Sequence, residues 1–107
     1  MRTAQVFYKE ILAGIIAEND DGYIFRYDDV YLNKVNSKPV SLTLPLRQLS
    51  YESKVLFSFF DGLIPEGWLL NIAASNWKIN RRDRFGLLLA LCKDCIGCVS
   101  VVPKEDK

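Results

Sequence analysis

The first half of the chain is built of short apolar runs separated by turn-forming residues. The runs at residues 4–8, 11–17 and 23–27 are rich in β-branched and aromatic side chains, which favour strands. Residues 9–10 leave room for a hairpin turn, and residues 19–22, Asn-Asp-Asp-Gly, have the composition of a tight turn. The pattern therefore predicts a three-stranded meander.

Two further short elements follow the meander. Residues 28–33 suit a short helical turn. In residues 39–45 the apolar Val40, Leu42 and Leu44 alternate with polar side chains, a period typical of a half-buried strand. We therefore predict a fourth strand at this position.

The second half has the spacing and the terminal residues of helices. Residues with N-cap, helix-start or helix-stop chemistry occur in the order Ser53, Asp61, Gly62, Pro65, Glu66 and Asn80. They predict three helices, the first ending at Phe60. The second has the apolar stripe Leu69, Ala73 and Trp77, and the third has the stripe Phe85, Leu88, Leu89 and Cys92. Gly97 ends the third helix, and residues 99–102 predict a closing strand.

Composition places the chain among ordinary globular domains. Half of its 107 residues are apolar and 25% are charged, which suits one α+β domain over residues 1–103 with a frayed tail at 104–107. The 14 basic and 13 acidic residues leave a net charge of +1, so we expect no stand-alone nucleic-acid binding. With no secretory leader and no run of about 20 apolar residues, we expect a cytoplasmic protein without membrane contact.

Three cysteines raise the question of a metal. Cys92, Cys95 and Cys98 have the spacing C-x2-C-x2-C, at which thiolates can hold zinc or an iron–sulfur cluster. A structural zinc site needs a fourth ligand, the chain has no histidine, and Asp94 would substitute only poorly. The favoured interpretation is three small buried apolar residues, with no metal and no cofactor.

A basic cluster of Lys78, Arg81, Arg82 and Arg84 precedes the third predicted helix. Cations at a helix N-terminus oppose the helix dipole, and Asp83 offsets this only in part. The cluster is either a solvated helix start or a contact for an anionic partner. We retain Arg81, Arg82 and Arg84 as the second candidate for a partner-binding surface.

The most unusual stretch is the connection between the first two predicted helices. Two glycines and a proline hold several large apolar side chains there, and a short turn cannot bury all of them. We expect an exposed patch around Leu63, Ile64 and Trp68, since exposed aromatic residues on rigid turns are typical of interface hot spots. The predicted partner-binding residues are Asp61, Gly62, Leu63, Ile64, Pro65, Glu66, Gly67 and Trp68. Trp68 itself fits the core as well as an interface.

Catalysis has little support in the sequence. The chain has no histidine to act as a base near neutral pH. It also has no glycine-rich phosphate loop, no nucleophile elbow and no kinase catalytic signature. We therefore predict a non-catalytic binding module without catalytic residues.

Several stretches resemble one family. Residues 59–67, Phe-Phe-Asp-Gly-Leu-Ile-Pro-Glu-Gly, are similar to the Phe-Phe-Asp-x-Leu-Leu-Pro-Glu-Gly signature of the N-terminal subdomain of HipA-type kinase toxins. Residues 41–45, Ser-Leu-Thr-Leu-Pro, resemble its Ser-Leu-Ser-Leu-Pro strand, and residues 83–103 resemble its closing helix and strand. The strand with Gly14 and residues 25–28 also fit, so the resemblance covers nearly the whole chain.

The resemblance implies a fold and a partner. The fold is a small antiparallel sheet of four to five strands with two to three helices packed on one side. Cys95 matches a common family cysteine, whereas Cys92 and Cys98 fall where the family has small residues. In the full-length toxins this subdomain precedes a Ser/Thr kinase core, which we do not find here. The chain therefore resembles the free-standing small subunit of three-gene toxin–antitoxin systems.

Two functions follow as hypotheses. The first is an antitoxin-like subunit that binds and restrains a HipA-type Ser/Thr kinase. The second is a structural subunit that completes the kinase fold and bridges to a helix-turn-helix repressor–DNA complex without inhibiting the kinase.

Overall fold

The computed structural model describes residues 2–64, 82–92 and 98–104, which contain five strands in one antiparallel sheet. The strands are β1 (Thr3–Tyr8), β2 (Ile11–Asn19), β3 (Gly22–Tyr27), β4 (Tyr51–Ser53) and β5 (Val99–Pro103). Their order across the sheet is β4-β3-β2-β1-β5. The closing strand therefore lies beside the first, and the predicted meander forms the middle of the sheet.

The two turns of the meander have the backbone that such tight reversals need. Lys9 and Glu10 both have positive φ, at 50° and 69°, as in the two-residue hairpin turns that match strand twist. Gly22 has φ 144°, and a Cβ there would lie 2.2 Å from the Ser53 carbonyl oxygen. A side chain at this position would therefore be incompatible with β4.

Three helices occur in the described residues, and all pack on the same face of the sheet. They are α1 (Asp29–Asn33), α2 (Ser58–Asp61) and α3 (Arg84–Leu91). Each places one aromatic ring against β3: Tyr31 against Tyr27 at 6.2 Å, Phe60 against Phe25 at 5.4 Å, and Phe85 against Tyr23 at 5.7 Å. These three β3 residues alternate along the strand, so their side chains share a face.

The core lies between that face and the helices. Its buried residues are hydrophobic, with tyrosine and cysteine counted among them, and no other polar or charged residue among those described is buried. The largest fully buried side chains are Tyr27, Phe25, Phe60, Phe85, Ile16, Leu87, Leu88, Val6, Val101 and Cys92. None of the described helices is long and apolar enough to cross a bilayer. The α+β class and the one-sided arrangement are thus confirmed.

The predicted strand at residues 39–45 is wrong. Val40 and Leu44 are buried, but the Leu42 side chain is 93% exposed, and the fourth strand is β4. The segment forms a turn, in which the Leu44 N–H donates to the Ser41 carbonyl at 3.1 Å. The buried Val40 and Leu44 are four positions apart, whereas a strand would bury every second residue, and this spacing allows the turn to lie across the edge of the core.

Tyr27 holds that turn in place. Its hydroxyl donates to the Leu44 carbonyl oxygen and accepts from the Val40 N–H at 3.0 Å. Burial raises the pKa of Tyr27 to about 12, so this hydroxyl keeps its proton at physiological pH. A single tyrosine in β3 therefore satisfies two backbone groups of a segment without regular structure.

Two predicted N-caps are also wrong. Ser53 lies in β4, and α2 begins later, with Phe57 at its N-cap position. The cap of α3 is Asp83 rather than Asn80, because the Asp83 carboxylate accepts from the Gly86 N–H at 3.1 Å. Asn80 itself lies outside the described residues, as does the predicted helix with Leu69, Ala73 and Trp77.

Candidate functional site

The candidate turn begins at the C-terminal end of α2, and its first four residues are described. Leu63 and Ile64 donate backbone hydrogen bonds to the Phe60 and Asp61 carbonyls at 3.1 and 3.2 Å. The Leu63 carbonyl accepts from the Cys92 thiol at 3.5 Å. Local and long-range contacts therefore hold the start of the turn against the domain.

The expected apolar patch differs from the structure at Ile64. This side chain is only 3% exposed and belongs to the core, so the expectation that it lies on the surface is wrong. Leu63 is partly buried and packs against the same core. The reason is that the turn follows α2 directly, and the buried Phe60 of α2 packs against Phe25 of the sheet, which places the next residues close to the core. Pro65, Glu66, Gly67 and Trp68 lie outside the described residues.

The candidate arginines do not behave alike. The Arg84 Nε donates to the Asp61 carboxylate at 2.6 Å, joining the N-terminus of α3 to the C-terminus of α2. Arg82 is exposed, and its carbonyl accepts from the Arg84 N–H at 3.0 Å. Arg81 lies outside the described residues. The structure therefore connects the two candidate surfaces directly, since Asp61 belongs to one and Arg84 to the other.

The structure also contains a charged cluster that the sequence analysis did not predict. The Arg2 guanidinium bonds the Asp83 carboxylate through Nη1 and Nη2, both at 2.8 Å, and the Glu18 carboxylate through Nε and Nη2 at 2.8 and 2.9 Å. It also lies 5.3 Å from the centre of the Phe85 ring. We call Arg2, Glu18 and Asp83 the arginine clamp. It ties the residue before β1 to β2 and to the start of α3.

The pairing of Arg2 with Asp83 shifts the pKa of both groups. Hydrogen bonds from Arg2 lower the pKa of the Asp83 carboxyl, with a smaller lowering from the Gly86 N–H. Hydrogen bonds to Asp83 and Glu18 raise the pKa of Arg2 further above its already high value. Arg2 and Asp83 are therefore both charged at physiological pH. Nothing in the sequence could have indicated it, because Arg2 and Asp83 are 81 residues apart.

The two described cysteines lie in different environments. Cys92 is buried at the end of α3, whereas Cys98 is exposed just before β5, and Cys95 lies outside the described residues. The Cys92 carbonyl accepts from the Val101 N–H at 2.8 Å, so this residue covers part of the free edge of β5. Burial of Cys92 agrees with its interpretation as a small apolar residue, whereas the predicted burial of Cys98 is wrong, because this residue lies exposed just before β5.

Nearly all of the chain matches the sequence model of one protein family. Residues 4–102 match the model described as the HipA N-terminal domain. An uncharacterised protein of Haemophilus influenzae is 32% identical over 107 residues, which are all of this chain and 95% of that protein. A putative kinase of Sinorhizobium fredii, Y4mE, is 26% identical over 108 residues, and this chain spans only 26% of its length.

Solved structures share the fold, and two of them bear on the family of this chain. One is described as the N-terminal domain of HipA toxin, with a TM-score of 0.76 and 29% identity, covering 100% of this chain and 96% of that one. The other is a Shewanella oneidensis complex of HipA, HipB and operator DNA. Its matching chain has a TM-score of 0.77 and 20% identity, with 96% of this chain and 24% of that one covered.

Proposed function

The chain belongs to the HipA N-terminal domain family, and we propose that it is a non-catalytic, antitoxin-like subunit that binds a HipA-type Ser/Thr kinase and restrains it. The observation that carries the proposal is the family match over residues 4–102. The same domain is similar to a Haemophilus influenzae protein of nearly this length and to a quarter of a putative kinase. A domain that adjoins a kinase in one chain has a surface with which it can bind a kinase as a separate subunit.

We place the kinase contact on the turn from Asp61 to Trp68. Hydrogen bonds of Leu63 and Ile64 and the Asp61–Arg84 ion pair fix the beginning of this turn on the domain. Residues 61–64, the described part of the turn, are held by these contacts and lose little entropy on binding, which favours affinity. The buried Ile64 and the half-buried Leu63 thus attach the turn to the core, and we propose that the residues after them contact the kinase.

Trp68 is the proposed anchor of the contact. Tryptophan combines a large apolar area with one N–H donor, the combination enriched in interface hot spots. An aromatic wedge that holds the phosphate-binding loop of a kinase, or fills its nucleotide cleft, would inhibit without any chemistry by this chain. The Arg81, Arg82 and Arg84 side chains are the second candidate contact.

The proposal is tested with Trp68→Ala in the purified domain. We expect near-normal folding by circular dichroism, kinase binding weaker by at least about 2 kcal/mol, and loss of protection when the kinase is co-expressed. Leu42→Ala is the matched control, since Leu42 is a 93% exposed apolar residue outside the Asp61–Trp68 segment of the sequence. It should bind and protect like the unmodified chain.

Two outcomes would contradict the anchor. If Trp68→Ala unfolds the domain, Trp68 is a core residue. If it folds, binds and neutralises the kinase normally, the contact lies elsewhere, and Arg82→Ala with Arg84→Ala becomes the next variant.

The Shewanella oneidensis complex supports a second candidate function. There a chain with this fold is part of an assembly of HipA, HipB and operator DNA. This chain would then complete a kinase fold and bridge to a helix-turn-helix repressor on DNA, without inhibition. The two functions differ in one measurement. A restraining subunit lowers the toxicity of the co-expressed kinase, whereas a structural subunit leaves it unchanged and tightens operator binding by the repressor–kinase complex.

A further inference from the structure

A cleft of about 220 Å³ lies between the β1–β2 turn and the segment that follows α1. It is lined on one side by Tyr8, Lys9 and Ile11, and on the other by Tyr31 and residues 34–38. Neither the kinase contact proposed above nor the arginine clamp uses these residues. The cleft is therefore a separate feature of the surface.

Tyr31 makes one wall of the cleft rigid. Its carbonyl accepts from the Ser37 hydroxyl at 2.6 Å and from the Lys34 N–H at 3.2 Å, and its hydroxyl donates to the Lys38 carbonyl at 2.5 Å. The Tyr31 ring is buried and stacks on Tyr27 with an interplanar angle of 5°. Three hydrogen bonds to one core side chain and its backbone thus fix the short segment 34–38.

The opposite wall is fixed as well. The Lys9 N–H donates to the Cys98 carbonyl at 2.7 Å, which holds the β1–β2 turn against the residue before β5. The Lys9 ammonium lies 5.9 Å from the centre of the Tyr8 ring, within the range of a cation–π contact. A cleft with two fixed walls binds a ligand without a large cost of ordering.

The lining combines cations with exposed apolar surface. Lys9, Lys34 and Lys38 line the cleft, and no carboxylate does among the described residues, although the whole chain carries a net charge of only +1. Two apolar side chains of the same lining are exposed, Ile11 at 42% and Val35 at 87%. Isolated exposed apolar residues are common, but these two lie beside three lysines that form no ion pair within the described part of the chain, and this combination selects for a particular ligand chemistry.

We propose that this cleft binds an acidic peptide segment of a partner protein, with carboxylates at the three lysines and one apolar side chain between Ile11 and Val35. Charge complementarity selects the acidic groups. The apolar pair selects a peptide over inorganic phosphate or a nucleic-acid backbone, which would leave that pair exposed. The proposal goes beyond kinase restraint and does not depend on it.

The test uses a labelled ten-residue peptide of aspartates and glutamates with one central leucine, and fluorescence anisotropy at low ionic strength. We expect saturable binding that Lys34→Gln with Lys38→Gln weakens about tenfold, as for the loss of two exposed charge pairs. Val35→Ser should weaken it as well. Lys54→Gln removes an exposed lysine beyond β4 and is the matched control, with unchanged binding.

Three results would overturn the proposal. The first is no binding of the leucine peptide. The second is equal binding of a peptide with serine in place of leucine, which means that the apolar pair takes no part. The third is full competition by millimolar inorganic phosphate or by a short single-stranded oligonucleotide, which would make the cleft a general anion site. Kinase binding by Trp68→Ala is measured separately, so failure of one proposal does not affect the other.

Discussion

Replacing Gly86 by alanine sets two effects against each other at the start of α3. Alanine favours a helix over glycine by about 1 kcal/mol, so an exposed helix would gain stability. Here, however, a Cβ at position 86 would lie 2.3 Å from Asp83 Oδ2 and 2.8 Å from its Cγ. The Asp83 carboxylate would have to move, and it is both the N-cap of α3 and the partner of Arg2.

The expected loss follows from the two interactions of Asp83. An aspartate N-cap contributes about 1 kcal/mol. The ion pair with Arg2 adds about 1 kcal/mol, because its side chains are 40% and 35% exposed and solvent screens them. The loss of about 2 kcal/mol outweighs the gain of about 1 kcal/mol from helix propensity. We therefore expect Gly86→Ala to destabilise the domain by about 1 kcal/mol in the native background.

A double-mutant cycle isolates this effect. With Asp83→Ala already present, the nearest side-chain atom left beside the added Cβ is Nη1 of the flexible Arg2 side chain, at 3.1 Å, and Gly86→Ala should stabilise the domain by about 1 kcal/mol. The four proteins are compared by urea denaturation at pH 7, followed by circular dichroism with linear extrapolation. A coupling energy of about 2 kcal/mol is expected. If Gly86→Ala stabilises both backgrounds equally, Asp83 does not occupy the space described here and the reasoning is refuted.

Four further predictions concern the clamp, the core and the cysteines. The pKa of Asp83 is lowered in the folded state, so its ionised carboxylate contributes to the free energy of unfolding above the unfolded value of about 3.9, and this contribution is lost as pH falls through the lowered pKa. In urea titrations, Asp83→Asn should therefore lose less stability on acidification than the unmodified chain. Tyr27→Phe removes two hydrogen bonds and should cost about 1–3 kcal/mol, with faster amide exchange in residues 38–44. Gly14→Ala would place a Cβ 2.4 Å from the Arg26 carbonyl oxygen, so the melting temperature should fall by at least about 4 °C. An unchanged melting temperature would mean that β2 and β3 can move apart at no cost in stability. Elemental analysis of the purified chain should find no stoichiometric zinc or iron, and about one metal per chain would contradict this.

The meander and the closing strand could be predicted from sequence because their signals are local. β-branched and aromatic runs determine β1, β2, β3 and β5, and the turn residues between the first three determine their direction. The Phe-Phe-Asp-Gly motif likewise identified the family, since the order of residues in a motif does not depend on tertiary contacts. The shift of register between Val6 and Phe7, which leaves Ala13 of β2 without a partner position in β1, was not predicted.

The candidate site could be predicted only in part. The motif located the turn after Phe60, but the exposure of Leu63 and Ile64 depends on where α2 places them relative to the sheet. The structure buries Ile64 and pairs Asp61 with Arg84, 23 residues away. Sequence patterns report which side chains are apolar or charged, and not which of them meet.

The remaining features were decided by the tertiary structure alone. Alternation at residues 39–45 has the period of a strand, yet the hydroxyl of Tyr27 competes for the backbone groups of that segment and holds it as a turn. Asp83 replaces Asn80 as the helix cap because Arg2, brought near by β1, stabilises its carboxylate. Local propensities differ by only about 1 kcal/mol per residue, so one or two long-range hydrogen bonds are enough to reverse the local preference.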